Sequence, residues 1–176
     1  MRLFLAINLS PEMKRALTKA QRAMFDRGVR GNFPPEENLH LTLAFIGEYP
    51  SAEAVMDALS GVTFTPFELA MDGVGRFGDL WWAGLRENNA LTAVVRRVRR
   101  ALAAGGIPFD RKRFSPHITL LRRASRDAAD IAIAPETMMV RTLSLMSSKR
   151  GRNGMIYTEI DTIEANEVPA QTPEEL

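Results

Sequence analysis

Residues 40–43 read His-Leu-Thr-Leu, and residues 117–120 read His-Ile-Thr-Leu. The chain has two histidines in all, and each of them begins one of these tetrapeptides. Successive side chains of a β-strand point to opposite faces, so each histidine shares a face with its threonine, and the aliphatic residues share the other. The pattern predicts two half-buried strands, and its repetition indicates two lobes related by pseudo-symmetry.

The rest of the chain alternates between strand and helix patterns. Strands are predicted over residues 2–9, 39–46, 64–75, 80–86, 117–122, 137–147 and 155–162. Helices are predicted from Pro11 to about residue 28, after Ser51 through residue 59, over residues 89–104, and as a weak turn near 125–130. The order predicts an α+β fold with helices packed on antiparallel or mixed sheets. We expect one domain over residues 1–163 and an acidic, disordered tail over residues 164–176.

Composition excludes several classes of site. The chain has 176 residues, a formal net charge of +2 and no cysteine, which excludes disulfides, cysteine nucleophiles and thiolate metal sites. No run approaches the ~18 apolar residues of a membrane span, so we expect no membrane association. A cytoplasmic monomer is predicted. The middle of the chain is rich in arginine between Arg96 and Arg126, and such local basic density attracts phosphate groups.

Two strand faces that carry histidine and threonine in one groove can support only a few kinds of reaction. Imidazoles exchange protons near neutral pH, so two of them suit paired acid and base catalysis. Threonine hydroxyls donate to phosphate oxygens. A zinc site needs three or four protein ligands, and two histidines without cysteine do not supply them. The residues therefore favour displacement at phosphorus with no metal or other cofactor.

The sequence resembles the 2H phosphoesterase superfamily and, more closely, the bacterial RNA 2',3'-cyclic phosphodiesterases, historically called 2'-5' RNA ligases. The resemblance rests on NLHLTLAFIG at residues 38–47 and FSPHITLLR at residues 114–122. The opening RLFLAI at residues 2–7 and the strand around Trp82 also look familial, and the similarity spans about residues 2–160. It implies a bilobal, pseudo-twofold α+β fold with outer helices and a central groove.

The resemblance also implies roles for individual residues. His40 would be the proton donor to the 3' leaving oxygen and His117 the proton acceptor from water, with a 2'-phosphomonoester as product. Thr42 and Thr119 would hold phosphate oxygens. The family places an arginine at the position of Arg122 near the phosphate. Strict alternation turns Arg122 away from His117, so the strand has to bulge or end there, or the arginine has to reach round the edge.

Aromatic and basic residues extend the predicted site. The candidates for a base-stacking surface are Phe45, Phe77, Trp81, Trp82, Phe114 and Tyr157. Phe45 is assigned to substrate binding, and at most one of the adjacent pair Trp81 and Trp82 can face the groove. The basic segment 149–152 is either a guide for an RNA backbone or a solvated hairpin tip.

Three functions remain open on the sequence. The first is hydrolysis of RNA or nucleotide 2',3'-cyclic phosphates. The second is reversible 2'-5' ligation of RNA, or cleavage of 2'-5' linkages, in the same pocket. The third is a nucleotide- or RNA-binding module without turnover. The presence of both histidines and both threonines argues against this third function.

Overall fold

The computed structural model describes residues 1–128 and 130–167. Its α-helices are α1 (Pro11–Asp26), α2 (Ala52–Leu59) and α3 (Asn89–Ala104), and a 3-10 turn covers Glu36–Asn38. Its strands are β1 (Arg2–Asn8), β2 (His40–Glu48), β3 (Phe67–Phe77), β4 (Leu80–Leu85), β5 (His117–Leu121), β6 (Thr137–Val140), β7 (Thr142–Gly151) and β8 (Gly154–Glu164).

The strands form two four-stranded sheets. The first sheet has the order β2-β1-β7-β8, and the second has the order β5-β4-β3-β6. Every pairing between these strands is antiparallel. The predicted α+β class is confirmed, and of the two sheet types considered the antiparallel one is found. The strand that carries each His-x-Thr motif lies at the edge of its own sheet.

Local sequence explains where the helices begin. Ser10 caps α1 by accepting a hydrogen bond from the backbone N–H of Met13 at 3.2 Å, and proline occupies the first helical position. Ser51 and Asn88 cap α2 and α3 in the same way, each accepting from the N–H three residues on. The observed bounds of α3 are those predicted.

One continuous apolar core joins both sheets and all three helices. The first sheet contributes Leu5 and Leu145, the second contributes Leu69 and Ile118, and all four are fully buried. The opposite face of the first sheet carries a second, small cluster of Phe4, Ala6 and Met146, with Phe45 and Tyr157 packed against it. We call this opposite face the groove face because His40 and Thr42 lie on it.

Both motif strands bulge at the same position. In β2, Thr42 pairs with Ala6 and Ala44 with Leu5, which leaves Leu43 as the extra residue. In β5, Thr119 pairs with Trp82 and Leu121 with Trp81, which leaves Leu120 as the extra residue. A bulge reverses the alternation that follows it. Consequently two consecutive buried residues follow each threonine, and the next residue, Phe45 or Arg122, returns to the groove side.

Three sequence-based boundaries need correction. The strand predicted over 137–147 is two strands, because the chain leaves the second sheet after Val140 and joins the first at Thr142. Described residues near 125–130 form bends and a turn rather than a helix. The tail was predicted from residue 164, but Glu164 ends β8, and the N–H groups of Ala165 and Asn166 donate to Arg141 and Phe64. Residues 168–176 lie outside the described part.

Candidate active site

The two His-x-Thr motifs meet at the junction of the sheets. β2 and β5 are edge strands of different sheets, and they lie against each other without forming a common ladder. His40 and Thr42 are half-buried on the first strand, and His117 and Thr119 are half-buried on the second. The positive charge of His117 acts on the titration of His40. The fold thus brings the two predicted imidazoles to one place.

The hydrogen bonds of His40 determine its tautomer. Its Nδ1 lies 2.7 Å from the backbone oxygen of Asn38, and a carbonyl only accepts, so Nδ1 carries a proton. Its Nε2 lies 2.9 Å from the Thr42 hydroxyl. Nε2 is therefore the nitrogen that exchanges a proton. In the neutral imidazole it accepts from Thr42.

His117 repeats the same arrangement. Its Nδ1 lies 2.7 Å from the backbone oxygen of Ser115, so this nitrogen also carries a proton. In both motifs the accepting carbonyl belongs to the residue two positions before the histidine. Because both rings are held through Nδ1, both present Nε2 for proton transfer.

Burial and positive charge act together on His40. Burial lowers the pKa of His40 from its usual 6.5, and the positive charges of Arg122, His117 and Lys14 lower it further. The hydrogen bond to the Asn38 carbonyl opposes this change by favouring the protonated ring. The neutral form of His40 is therefore more favoured than that of a free imidazole.

Arg122 reaches the groove through the bulge in β5. The extra residue Leu120 reverses the parity of the strand, and β5 ends at Leu121. Arg122 then forms a bridge with Asn32, through backbone bonds of 2.8 and 2.9 Å. Its charge acts on His40. The sequence left three possibilities for Arg122: a bulge, a strand end, or a side chain that reaches round the edge. The structure has both the bulge and the strand end.

Aromatic rings line both sides of the junction. The rings of Phe4 and Tyr157 lie 5.0 and 5.3 Å from the His40 ring, measured between centroids. On the other side, Phe77 lies 5.2 Å from His117 and 5.3 Å from Trp82. Phe77 is 48% exposed although it is large and apolar. The groove therefore has an aromatic wall beside each histidine.

The remaining predicted residues divide between groove and core. Phe45 lies in the small cluster on the groove face, with the Arg2 guanidinium 5.1 Å from its ring centre. Trp81 is buried in the main core, whereas the half-buried Trp82 contacts Phe77, so one member of the pair faces the groove as expected. Phe114 packs against the main core. Within the basic segment 149–152, Lys149 and Arg150 belong to β7.

Sequence reasoning missed several contributors. Lys14 comes from α1, and only the packing of that helix brings its charge to His40. Asn38 is buried, and its side chain donates to the Met155 carbonyl at 2.9 Å while its own carbonyl holds His40. The backbone carbonyls of Asn38 and Ser115 hold the two histidines, and a backbone contact cannot be predicted from the side chains at those positions. The equal two-residue offset before each histidine was the one available hint.

Two further observations concern other kinds of site. No three His, Cys, Asp or Glu side chains within residues 1–128 and 130–167 come together as a metal site would require. No helix in the same part of the chain is long and apolar enough to cross a membrane.

The sequence is similar to those of known proteins. A profile of the 2'-5' RNA ligase superfamily matches residues 9–152. The RNA 2',3'-cyclic phosphodiesterase of Escherichia coli K12 is 34% identical over 90% of this chain and 93% of its own length. Its counterpart in Archaeoglobus fulgidus is 31% identical, over 93% and 100%. The protein of that name in Geobacillus stearothermophilus is 32% identical over 71% of this chain, which spans only 43% of that relative.

Solved structures share the fold. Escherichia coli LigT complexed with 3'-AMP superimposes with a TM-score of 0.81 at 29% identity, covering 94% of this chain and 98% of the other. The protein TT0787 of Thermus thermophilus superimposes with a TM-score of 0.80 at 28% identity, over 93% and 97%. The chain belongs to the 2'-5' RNA ligase superfamily, which confirms the resemblance and the bilobal α+β fold that it implied.

Proposed function

We propose that the chain hydrolyses RNA or nucleotide 2',3'-cyclic phosphates to 2'-phosphomonoesters, using His40 and His117 as acid and base without a metal. The names of the curated relatives support the substrate class. The observation that carries the mechanism is the matched setting of the two rings. Each Nδ1–H is held by a carbonyl at 2.7 Å, and each Nε2 is left for proton transfer at the junction of the sheets.

The proposed reaction is an in-line displacement. His117 Nε2 takes a proton from water, and the water oxygen forms a bond to phosphorus. The bond from phosphorus to the 3' oxygen breaks on the opposite side. His40 Nε2–H donates its proton to that oxygen, which yields a 3' hydroxyl and a 2'-phosphomonoester. Proton exchange with solvent then deprotonates His117 and protonates His40 again.

The charges around His40 suit this role. Its lowered pKa makes the imidazolium a stronger acid. The anionic cyclic phosphate would favour the protonated ring on binding and so load the acid when substrate is present. Arg122 and the hydroxyls of Thr42 and Thr119 would hold the phosphate oxygens. For Thr42 this requires exchanging its bond to His40 for one to the phosphate. Phe45 is proposed to contact the nucleoside.

The direct test is an assay with a nucleoside 2',3'-cyclic phosphate in excess chelator. We expect conversion to the 2'-monophosphate at the rate seen without chelator, and a fall on the order of 10²–10⁴-fold in H40A and in H117A. Lys19→Gln, on the exposed side of α1, is the control. Inhibition by the chelator, or full activity in either histidine variant, would contradict the mechanism.

A second substrate separates the two roles. A nitrophenyl phosphodiester has a leaving group that needs no protonation, so its hydrolysis depends little on a general acid. We expect H40A to recover most of its lost activity on that substrate and H117A to recover none. The opposite pattern would exchange the roles of the histidines.

The alternative reactions use the same groups. If a 5' hydroxyl of RNA replaces water, the same displacement forms a 2'-5' linkage, and the reverse reaction cleaves one. The superfamily description gives this candidate its support. Rates on cyclic-phosphate and 2'-5'-linked oligonucleotides distinguish the two enzymes. Tight nucleotide binding without product after long incubation would instead indicate a binding module.

A further inference from the structure

Gln21 is a buried polar residue of α1 that none of the steps above uses. Its side chain is 8% exposed. Its Nε2 donates to the backbone oxygen of Leu120 at 3.0 Å and to that of Pro34 at 3.0 Å. A side-chain amide has two N–H groups, and these two bonds use both.

The two accepting carbonyls belong to the two chain segments that meet at Arg122. Leu120 is the extra residue of the β5 bulge, which reverses the strand and turns Arg122 toward the groove. Pro34 belongs to the segment after α1 in which Asn32 pairs with Arg122. One buried amide therefore joins the bulge before Arg122 to the segment that pairs with Arg122.

The chemistry of a bulge explains why such a donor is needed. An extra residue interrupts the ladder of backbone hydrogen bonds, and a buried carbonyl without a donor is unfavourable. Two residues after each bulge, a backbone N–H supplies the donor: the Phe45 carbonyl of β2 accepts from Asp110 at 2.8 Å, and the Arg122 carbonyl accepts from Asn32 at 2.8 Å. In β5, a side chain supplies a donor to the bulge, so this support can be removed by substitution.

We infer that Gln21 is a positioning residue, which sets the direction of Arg122 toward the phosphate by fixing the bulge at Leu120. The inference rests on the proposed function, in which Arg122 holds a phosphate oxygen. Gln21 itself contacts neither the histidines nor the substrate in this scheme. Its effect has to pass through Arg122.

The test replaces Gln21 with methionine, which keeps the length of the side chain and removes both donors. We expect kcat/KM on a nucleoside 2',3'-cyclic phosphate to fall ~10-fold or more, because small displacements of a positioned group cost much rate. Thr18→Val on the same helix is the matched control, since the Thr18 hydroxyl is buried and has no hydrogen-bond partner within residues 1–128 and 130–167. T18V should keep the wild-type rate.

Two comparisons separate positioning from loss of stability. Val55→Ala truncates a fully buried residue of α2 and serves as a variant destabilised far from Arg122. Thermal unfolding measures how its loss of stability compares with that of Q21M. If V55A lowers kcat/KM as much as Q21M does, Gln21 is only structural. In an R122A background, Q21M should lower kcat/KM by no more than about twofold, because residues that act through one another are not additive. An equal fall in both backgrounds overturns the inference.

Phosphate binding gives a readout that does not depend on turnover. Inorganic phosphate, titrated against the folded protein and followed by NMR, should bind ~10-fold more weakly to Q21M than to wild type and T18V, since a charged hydrogen bond is lost. This result would stand even if the chain failed to hydrolyse cyclic phosphates, so the two failures are distinguishable. Unchanged phosphate affinity in Q21M would overturn the inference.

Discussion

At the scale of single residues, the two histidines share a tautomer but differ in their surroundings. The His40 ring packs against the rings of Phe4 and Tyr157, and the charges of Arg122 and Lys14 act on it. His117 has the exposed Phe77 beside it. Burial is the main cause of the lowered pKa of His40, and positive charge adds to it. This difference in surroundings is consistent with the opposite roles that we propose for the two histidines.

The charge of Lys14 makes the role of His40 testable through pH. A general acid has to be protonated, and kcat/KM reports the free protein. Because the pKa of His40 is lowered from 6.5, kcat/KM should fall as pH rises through a value below 6.5. Lys14→Gln removes a positive charge, favours the imidazolium and should move this fall to higher pH. K19Q should leave it in place. A shift to lower pH would contradict the assignment.

At the scale of elements, the decisive feature is the bulge that follows each His-x-Thr motif. It allows an aliphatic pair to enter the core and the next side chain to return to the groove. The segment after α1 supports the end of β5 by close backbone approach. Gly31 has φ of 152°, and a Cβ atom there would lie 2.6 Å from the Arg122 oxygen and 2.7 Å from the Arg123 oxygen. Only glycine fits this contact.

Gly31→Ala should therefore disturb the support of Arg122. The added methyl group forces the two backbones apart, and we expect the free energy of unfolding to fall by about 1–3 kcal/mol. Denaturant unfolding measures this fall. Gly61→Ala is the control, because a Cβ atom there would have no heavy atom of the described residues within 4 Å apart from its neighbours in the chain. Equal stability of the two variants would show that the Gly31 contact is unimportant.

At the scale of the whole molecule, the two sheets share one core. Leu5 of the first sheet and Ile118 of the second belong to the same continuous cluster. The histidines stand on strands of different sheets, so their distance depends on how the sheets pack. The shared core fixes how the two sheets pack and thereby holds the two histidine strands together.

Leu5→Ala tests whether the sheets unfold together. Both tryptophans lie in β4 of the second sheet, so their fluorescence reports that sheet. Truncation of the fully buried Leu5 in the first sheet should destabilise the protein by about 2–5 kcal/mol. We expect the fluorescence and circular dichroism transitions to shift together. A fluorescence transition that stays at the wild-type position would mean that the lobes unfold independently.

Local rules predicted the parts of this protein that depend on neighbours in sequence. The starts of α1 and α2 were predictable from Ser10 and Ser51, because a capping side chain acts within three residues. The faces of His40 and Thr42 followed from the period of a strand. The break at Arg141 was not predictable, because residues on both sides favour strands and only the sheet that each one joins differs.

The sequence by itself determined the two motifs, the aliphatic face opposite each His/Thr pair and the α+β class, since these follow from spacing and side-chain chemistry. Only the tertiary structure decided that Arg122 turns to the groove side, that Lys14 acts on His40 and that Gln21 supports the bulge. Each of these depends on contacts between segments far apart in the chain. Alternation along one strand describes only a regular ladder, and the bulge at Leu120, which receives a hydrogen bond from Gln21 of α1, departs from it.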